Sequence, residues 1–206
     1  STGSLERFKA RLVVRGFSQV EGLHYQATYA PVAKFATIRG VIAVAASRGL
    51  HLRQLDFTAA FLNGTLDETI LARPPRGVHL PRTKCWKLLK ATYGLRQAGR
   101  QWYRALLATL LMIGFTKSTC DPCLFTINSK GLQMYLLVYV DDVIVAHNSP
   151  TAMERLLKKI QAEYNIRDIG PLAWFLGVKV THLSCGAIFL SQEKYLLSVL
   201  SRFNIC

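Results

Sequence analysis

The sequence predicts an α+β fold with an antiparallel sheet at its centre. Half of the 206 residues are apolar, which is enough to bury a substantial core. Two bulky apolar runs, at residues 134–140 and 143–146, stand on either side of a short acidic turn and predict a hairpin of buried strands. Helical and strand patterns alternate elsewhere without the regular strand–helix–strand order that builds a parallel sheet.

The first half of the chain predicts two strands and two helices. Residues 9–17 mix apolar and basic side chains, which predicts a strand with a basic face. Apolar residues recur at helical spacing from Thr37, and Gly49 follows as a stop signal. Residues 51–57 predict a strand that carries Asp56 near its end. A second helix is predicted over about 97–112, ending before Gly114.

The second half predicts a capped helix, a further hairpin and a terminal helix. Residues 149–151 open the helix, with Thr151 and Glu154 forming a capping box. Residues 174–181 and 187–191 predict a hairpin around residues 184–186, and an apolar helical stripe begins after Gln192. Since no repeat or linker divides the chain, we expect one domain over residues 1–206.

Charge and cysteine usage restrict the classes of function. The net charge of +14 predicts attraction to a polyanion, either nucleic acid or an anionic membrane surface, and favours nucleic acid. The longest apolar stretch, residues 105–115, is far shorter than the ~20 residues that cross a bilayer. Cys120 and Cys123 form a C-x-x-C pair without a second close pair, so reduced structural thiols are favoured over a zinc or redox site.

The sequence begins without an initiator Met and without an apolar signal core. We therefore expect a piece of a longer polypeptide.

The most informative residues are Asp141 and Asp142, which we expect to occupy the turn of the central hairpin. Two-residue turns usually contain Gly or Asn because the backbone needs a positive φ. Adjacent carboxylates repel each other unless a cation lies between them, and hard divalent cations such as Mg²⁺ bind oxygen ligands of this type. The pair therefore predicts a metal site, and the alternative is an exposed turn with solvated carboxylates.

Metal-dependent nucleotidyl transfer needs a further carboxylate, because two ions must be bridged. Asp56 is the best candidate, since it follows a strand and precedes a segment whose backbone can face a triphosphate. The alternative is an N-cap aspartate. Asp67, Asp121 and Asp168 lie in polar, turn-like contexts and are expected to be structural.

Five segments resemble the reverse transcriptase of copia-type (Pseudoviridae) LTR retrotransposons, in the order expected for that family. They are KARLV at 9–13 (fingers), QLDFTAAFLNG at 54–64 (first catalytic motif), YGLRQA and RQW at 93–102 (template and nucleotide), YVDD at 139–142 (catalytic hairpin) and WFLG at 174–177 (primer grip). The resemblance implies a polymerase palm, with an antiparallel sheet backed by helices, plus partial fingers and the start of a thumb. Residues 1–50 and 64–92 would be fingers-like, residues 51–63 and 93–181 the palm, and residues 182–206 the primer-grip hairpin and thumb start.

The resemblance also implies roles for individual residues. Asp56, Asp141 and Asp142 would be the catalytic, metal-binding carboxylates. The nucleotide-binding residues would be Lys9, Arg11, Phe57, Phe61 and Gln97; the primer and template residues would be Tyr139, Arg100, Trp174, Phe175, Leu176 and Gly177. Phe61 falls at the steric-gate position, where a ring would collide with a ribose 2′-hydroxyl, and its alternative role is a core Phe. A solvated basic strand is the alternative for Lys9 and Arg11.

The implied function is RNA-directed DNA polymerisation with two Mg²⁺ or Mn²⁺ ions. A template–primer of RNA or DNA and a dNTP would be the ligands, and other Pol domains such as RNase H and integrase the partners, without a membrane. The implied location is the cytoplasm, in a virus-like particle, with entry into the nucleus. The alternative is a catalytically silent or co-opted remnant that binds nucleic acid or protein. A hydrolase finds little support, because no G-x-S-x-G, H-E-x-x-H or P-loop motif occurs.

Overall fold

The structure, a computed structural model, describes residues 10–79, 81, 83–129 and 131–205. Its mixture of helices and antiparallel strands confirms the α+β class. The chain forms two compact units. The first combines the described residues up to Ala30 with Ala59–Ala108, and the second combines Pro31–Thr58 with the described residues from Thr109 onward. Residues 31–50, predicted to be fingers-like, thus belong to the same unit as most of the predicted palm.

The elements are named in chain order. The helices are α1 (Phe35–Arg48), α2 (Ala98–Ile113), α3 (Pro150–Gln161) and α4 (Glu193–Arg202). The strands are β1 (His51–Phe57), β2 (Thr65–Ala72), β3 (Trp86–Lys90), β4 (Thr116–Lys117), β5 (Leu124–Ser129), β6 (Leu132–Tyr139), β7 (Asp142–His147), β8 (Ile166–Pro171), β9 (Trp174–Phe175), β10 (Val178–His182) and β11 (Ile188–Ser191). Short 3₁₀ helices cover Gly16–Ser18 and Ala60–Asn63.

The first unit is built on the antiparallel pair β2–β3 and a small apolar cluster. The strand predicted over residues 9–17 is wrong in its described part, because residues 10–15 join no sheet and a 3₁₀ helix follows. Leu12 and Val13 are exposed, so only Val14 turns toward the apolar cluster. The Val14 N–H donates to the Tyr93 carbonyl at 2.9 Å, and a Cβ on Gly94 would lie 1.9 Å from the Val14 oxygen. This close approach requires glycine.

The second unit is built on a six-stranded antiparallel sheet with the order β4-β5-β6-β7-β1-β8. The predicted apolar hairpin is β6–β7, and its strands lie in the middle of this sheet, where burial on both faces explains their composition. Helix α1 packs its apolar stripe into the core of this unit and ends at Gly49, whose φ of 62° is the left-handed C-cap that the sequence predicted.

The C-terminal part differs from its prediction in one place. Residues 174–181 do not form a continuous strand, because Leu176 and Gly177 both have positive φ and make a tight turn between β9 and β10. The predicted hairpin around residues 184–186 is confirmed as β10–β11, and the terminal helix is confirmed as α4. Among the described residues, no helix combines the length and hydrophobicity needed to span a bilayer.

The N-cap of α3 lies two residues earlier than the sequence suggested. Ser149 is the N-cap, its side-chain oxygen accepts from the Ala152 N–H at 3.3 Å, and Pro150 opens the helix. The capping box assigned to Thr151 and Glu154 is therefore wrong. Pro150 has no N–H to be satisfied, which makes the preceding Ser the natural cap.

Asp121, between the two cysteines of the C-x-x-C pair, is a buried structural residue. Its carboxylate accepts from the Lys34 N–H at 3.0 Å and the Thr37 hydroxyl at 2.6 Å, and so satisfies the start of α1. It also accepts from the Cys123 N–H at 2.9 Å. Burial raises the pKa of the Cys123 thiol to about 12, and Cys120 is exposed and free. This geometry supports the interpretation of Cys120 and Cys123 as reduced, structural thiols.

We predict that Asp121→Asn destabilises the fold at neutral pH by about 1–3 kcal/mol, because the charge-assisted hydrogen bonds at α1 are lost. The hydrogen bonds from Thr37, Lys34 and Cys123 hold the pKa of Asp121 below its usual value against the opposing effect of burial. The ionised form therefore stabilises the native state above the ordinary carboxyl range, and this contribution is lost as the pH falls. Urea denaturation at pH 7 and pH 4 should show the larger difference at pH 7. The exposed Asp67→Asn serves as control and should cost less than about 1 kcal/mol.

Candidate active site

The register of β1 against β7 brings two of the three predicted aspartates side by side. Asp56 on β1 is the direct cross-strand partner of Asp142 on β7. The third, Asp141, lies one residue before Asp142, and its carbonyl accepts the Phe57 N–H at 2.8 Å. Since directly opposed residues of an antiparallel pair have Cβ atoms only ~4.5–5.5 Å apart, the sheet itself creates a cluster of carboxylates.

The turn of the hairpin consists of Val140 and Asp141, not of the two aspartates. Tyr139 pairs with Asp142, so Asp142 already belongs to β7. Val140 takes the position that needs a positive φ, with a value of 58°. A β-branched residue in this region is strained by about 1–3 kcal/mol, and such strain concentrates at functional sites. This turn places Asp141 at the tip of the hairpin.

The electrostatics of the cluster are unfavourable for negative charge on Asp142. Burial raises the pKa of the Asp142 carboxyl, and the negative charges of Asp141 and Asp56 raise it further. A hydrogen bond from the Gln54 side chain acts in the opposite direction. A cation bound among the three carboxylates would relieve this repulsion.

Arg167 on β8 supplies one positive charge to the cluster. It is the cross-strand partner of Asp56 on the opposite side of β1, and its guanidinium donates to the Asp56 Oδ2 at 2.8 Å. A second ion pair, Arg53 with Asp168, joins the same two strands. Asp168 is thereby structural, as its sequence context predicted.

The donor set of the cluster suits a hard divalent cation that keeps part of its coordination for water and substrate phosphates. All three side chains are partly exposed, which leaves their oxygens accessible. Within the described residues, however, no three acidic, histidine or cysteine side chains are arranged as a complete metal-binding group. Asp56, whose Oδ2 is engaged by Arg167, is the member that would have to change partner.

Two of the predicted nucleotide-binding residues, Arg11 and Phe61, meet on one aromatic ring in the first unit. The Arg11 guanidinium lies 5.6 Å from the centroid of the Tyr93 ring, and the Phe61 ring contacts Tyr93 edge-on with a centroid distance of 4.9 Å. Phe61 is partly buried against the apolar cluster of this unit. Arg11 is therefore positioned by an aromatic contact and is not merely a solvated basic residue.

Gln97 and Arg100 lie at the start of α2, also in the first unit. Gln97 is buried; its amide donates to the His24 carbonyl at 3.0 Å and accepts from the Gln19 amide at 3.1 Å. A nucleotide could contact the Gln97 amide only if that amide also kept, or gave up, its hydrogen bonds to His24 and Gln19. Arg100 is partly exposed. Lys9 lies outside the described residues.

The Phe57 N–H donates to the Asp141 carbonyl, and the backbone contact from Phe57 to a triphosphate stays a prediction. The Phe57 ring is buried and packs edge-on against Tyr164 at 5.8 Å. Phe57 therefore anchors the end of β1 next to the hairpin. Tyr139 is partly exposed and packs against the core of the second unit.

The predicted primer-grip residues form strand β9, with Trp174 and Phe175, and the tight turn that follows it, with Leu176 and Gly177. Trp174 is 36% exposed and Leu176 is 37% exposed, while Phe175 is buried in the core of the second unit. Phe175 therefore anchors the turn from the core side, and its contact with a primer stays a prediction. The Lys194 ammonium lies 4.4 Å from the centroid of the Trp174 ring and adds a positive charge beside this turn.

Comparison with known proteins decides the family. The family model described as "Reverse transcriptase (RNA-dependent DNA polymerase)" matches residues 3–206. The chain belongs to this reverse transcriptase family. No solved structure gives a significant match.

The similar curated proteins are retrotransposon polyproteins. The Retrovirus-related Pol polyprotein from transposon RE1 of Arabidopsis thaliana is 42% identical over 207 residues, which cover 100% of this chain and 14% of that protein. The corresponding polyprotein from transposon TNT 1-94 of Nicotiana tabacum is 37% identical over 98% of this chain and 15% of its own length. The resemblance to copia-type reverse transcriptases is thereby confirmed, and the chain spans only about one-seventh of these relatives.

Sequence reasoning missed two contributors to the aspartate cluster of this reverse transcriptase domain, Arg167 and Gln54. Arg167 lies 111 positions from Asp56, so no local spacing connects them. The only sequence signal is a cation beside an acid, Arg167-Asp168, in a segment with strand-forming residues. Gln54 is two residues before Asp56 on β1 and falls inside the first catalytic motif.

We predict that Asp142→Asn stabilises the metal-free domain at neutral pH by about 0.5–1 kcal/mol, a typical gain when a functional site is neutralised. The pKa of Asp142 is raised in the native state, so the native state binds more protons than the unfolded chain and loses stability as the pH rises. Urea denaturation in EDTA should show a larger gain at pH 7 than at pH 4. The matched variant Asp168→Asn breaks the ion pair with Arg53 and should show no gain. A loss of stability in Asp142→Asn would contradict the proposed repulsion.

Proposed function

We propose that this domain catalyses RNA- and DNA-directed DNA synthesis by two-metal nucleotidyl transfer at Asp56, Asp141 and Asp142. The observation that carries the proposal is the β1–β7 register, which pairs Asp56 with Asp142 next to the strained hairpin tip. Family membership supplies the reaction class.

The carboxylates would hold two Mg²⁺ or Mn²⁺ ions, which would activate the primer 3′-hydroxyl and neutralise the leaving pyrophosphate. The contribution of the protein is positioning and electrostatic stabilisation, without a covalent intermediate. The buried end of β1 and the Phe57 to Asp141 hydrogen bond hold the carboxylates in one place, so little reorganisation accompanies the reaction.

Binding of the nucleic acid is proposed to rest on the excess of positive charge. The net charge of +14 gives an attraction to phosphates that falls with salt. In the first unit, Arg11 and Arg100 would meet the incoming nucleotide and the template. In the second, Trp174 and Leu176 would contact the primer, with Lys194 beside them. The similar proteins are Pol polyproteins, which supports a setting within a Pol polyprotein, and the cytoplasmic, particle-associated location stays a prediction.

We predict that Asp56→Asn, Asp141→Asn and Asp142→Asn each reduce primer extension at least about 100-fold, as expected when charge stabilisation of the transition state is lost. Extension of oligo-dT on poly-A with dTTP and Mg²⁺ measures this loss, and binding of the template–primer should stay within about twofold of the parent.

The control for these variants is Asp168→Asn, which makes the same chemical change on the same sheet but outside the cluster. It should retain extension. Parental rates in the Asp141 and Asp142 variants would contradict the assignment. If the parent binds RNA tightly but neither extends primers nor is stabilised by Mg²⁺ with dNTP, the non-catalytic alternative is favoured.

We predict that Phe61→Ala increases the use of rUTP relative to dTTP by roughly tenfold or more, because a bulky ring would otherwise exclude the 2′-hydroxyl. The ratio of the two rates is the quantity to measure, since it is independent of the fraction of folded protein. Phe61 also packs on Tyr93, so the variant should lose stability as well. A loss of stability with an unchanged ratio would show that Phe61 is only a core residue.

A further inference from the structure

The side chain of Arg167 lies where a metal ion would compete for Asp56. Its guanidinium donates to the Asp56 Oδ2 at 2.8 Å, and this is the only ion pair of the three aspartates within the described residues. The side chains of Arg167 and Asp56 are 53% and 29% exposed, respectively. An ion pair with this exposure is weak and can open at little cost.

The charge balance of the cluster favours exchange of this partner. Three carboxylates face one guanidinium, so a net negative charge remains even when Arg167 is in place. Arg167 cannot lose its proton, and therefore it can leave Asp56 only by moving. A divalent cation brings twice the charge and a smaller radius to the same oxygens, and it can also contact Asp141 and Asp142.

Strand β8 does not depend on Arg167 for its attachment to β1. The ladder between the two strands runs from Arg53 to Phe57. A second ion pair joins them, in which the Arg53 Nε donates to the Asp168 Oδ1 at 3.3 Å and its terminal nitrogen contacts the other oxygen. Arg53 therefore binds in a bidentate manner, whereas Arg167 makes a single contact with Asp56. The Arg167 side chain can swing away while the sheet stays paired.

We propose that Arg167 is a displaceable counter-ion of Asp56. It neutralises and orients this carboxylate while no metal ion is bound, and its release is part of metal binding. Arg167 is thus a positioning residue that sets the metal affinity of the site. This inference rests on the proposed function, because it requires Asp56 to be a metal ligand.

The test is a titration of the 206-residue chain with Mn²⁺ alone, in which electron paramagnetic resonance reports the free ion. Arg167→Gln removes the competitor and should tighten Mn²⁺ binding about two- to fivefold, the range that corresponds to an exposed ion pair. Arg167→Lys, which keeps the charge, should remain close to the parent. The matched control is Arg53→Gln, which removes the same charge and the other ion pair between β1 and β8. It should leave the affinity near the parental value.

The Asp56→Asn variant distinguishes a failure of the counter-ion role of Arg167 from a failure of the proposed metal site. If Asp56→Asn weakens Mn²⁺ binding but Arg167→Gln binds no more tightly than Arg53→Gln, the counter-ion role is wrong and the metal site stands. If Asp56→Asn leaves Mn²⁺ binding unchanged, both are wrong. In the Asp56→Asn background, Arg167→Gln should have no further effect, because the two residues act through one interaction. Thermal melting without metal verifies that each variant is folded.

Discussion

The antiparallel pairing of β1 with β7 is the constraint on which the candidate site depends. It sets Asp56 opposite Asp142, and the hydrogen bond from Phe57 to Asp141 fixes the hairpin tip beside the end of β1. A register shift of one residue would turn Asp56 to the opposite face of the sheet. The buried apolar residues of the two strands oppose such a shift, because Leu55, Val143 and Ile144 would lose the close packing of their present positions. Hydrophobic packing thus holds charged groups in the geometry that their own repulsion disfavours.

That arrangement makes the site a region that destabilises the folded state. Val140 is strained, and Asp142 is half-buried beside two negative charges. Neither feature would be retained for stability alone. The rest of the second unit supplies the compensating stability, with α1 packed on the core and its N-terminus satisfied by Asp121. The packing and hydrogen bonds of α1 therefore offset the free-energy cost of the strained hairpin within the same unit.

Local patterns in the sequence were sufficient for α1, β1 and the β6–β7 hairpin, because helical spacing, a glycine stop and buried apolar runs are properties of neighbouring residues. They failed where contacts between residues far apart in the sequence determine the local structure. The segment at residues 10–15 has the composition of a strand, but its Val14 N–H bonds to Tyr93 and joins no sheet. The role of Arg167 depends on a pairing across 111 positions, which no spacing rule could anticipate. The ordered family motifs identified the three aspartates, and the sheet register explains why two of them are neighbours.

The second unit is discontinuous in sequence, since Pro31–Thr58 must join residues that follow position 108. On a ribosome, β1 therefore emerges well before either of its sheet neighbours, β7 and β8. At ~5–20 residues per second, it waits about 4–17 s for β7. Through that interval its apolar side chains and both backbone edges remain unpaired, a state that favours aggregation and recruits chaperones. The same long-range pairing that gathers the carboxylates thus gives the nascent polypeptide a vulnerable period, and synonymous codon changes that slow translation between β1 and β7 would lengthen it.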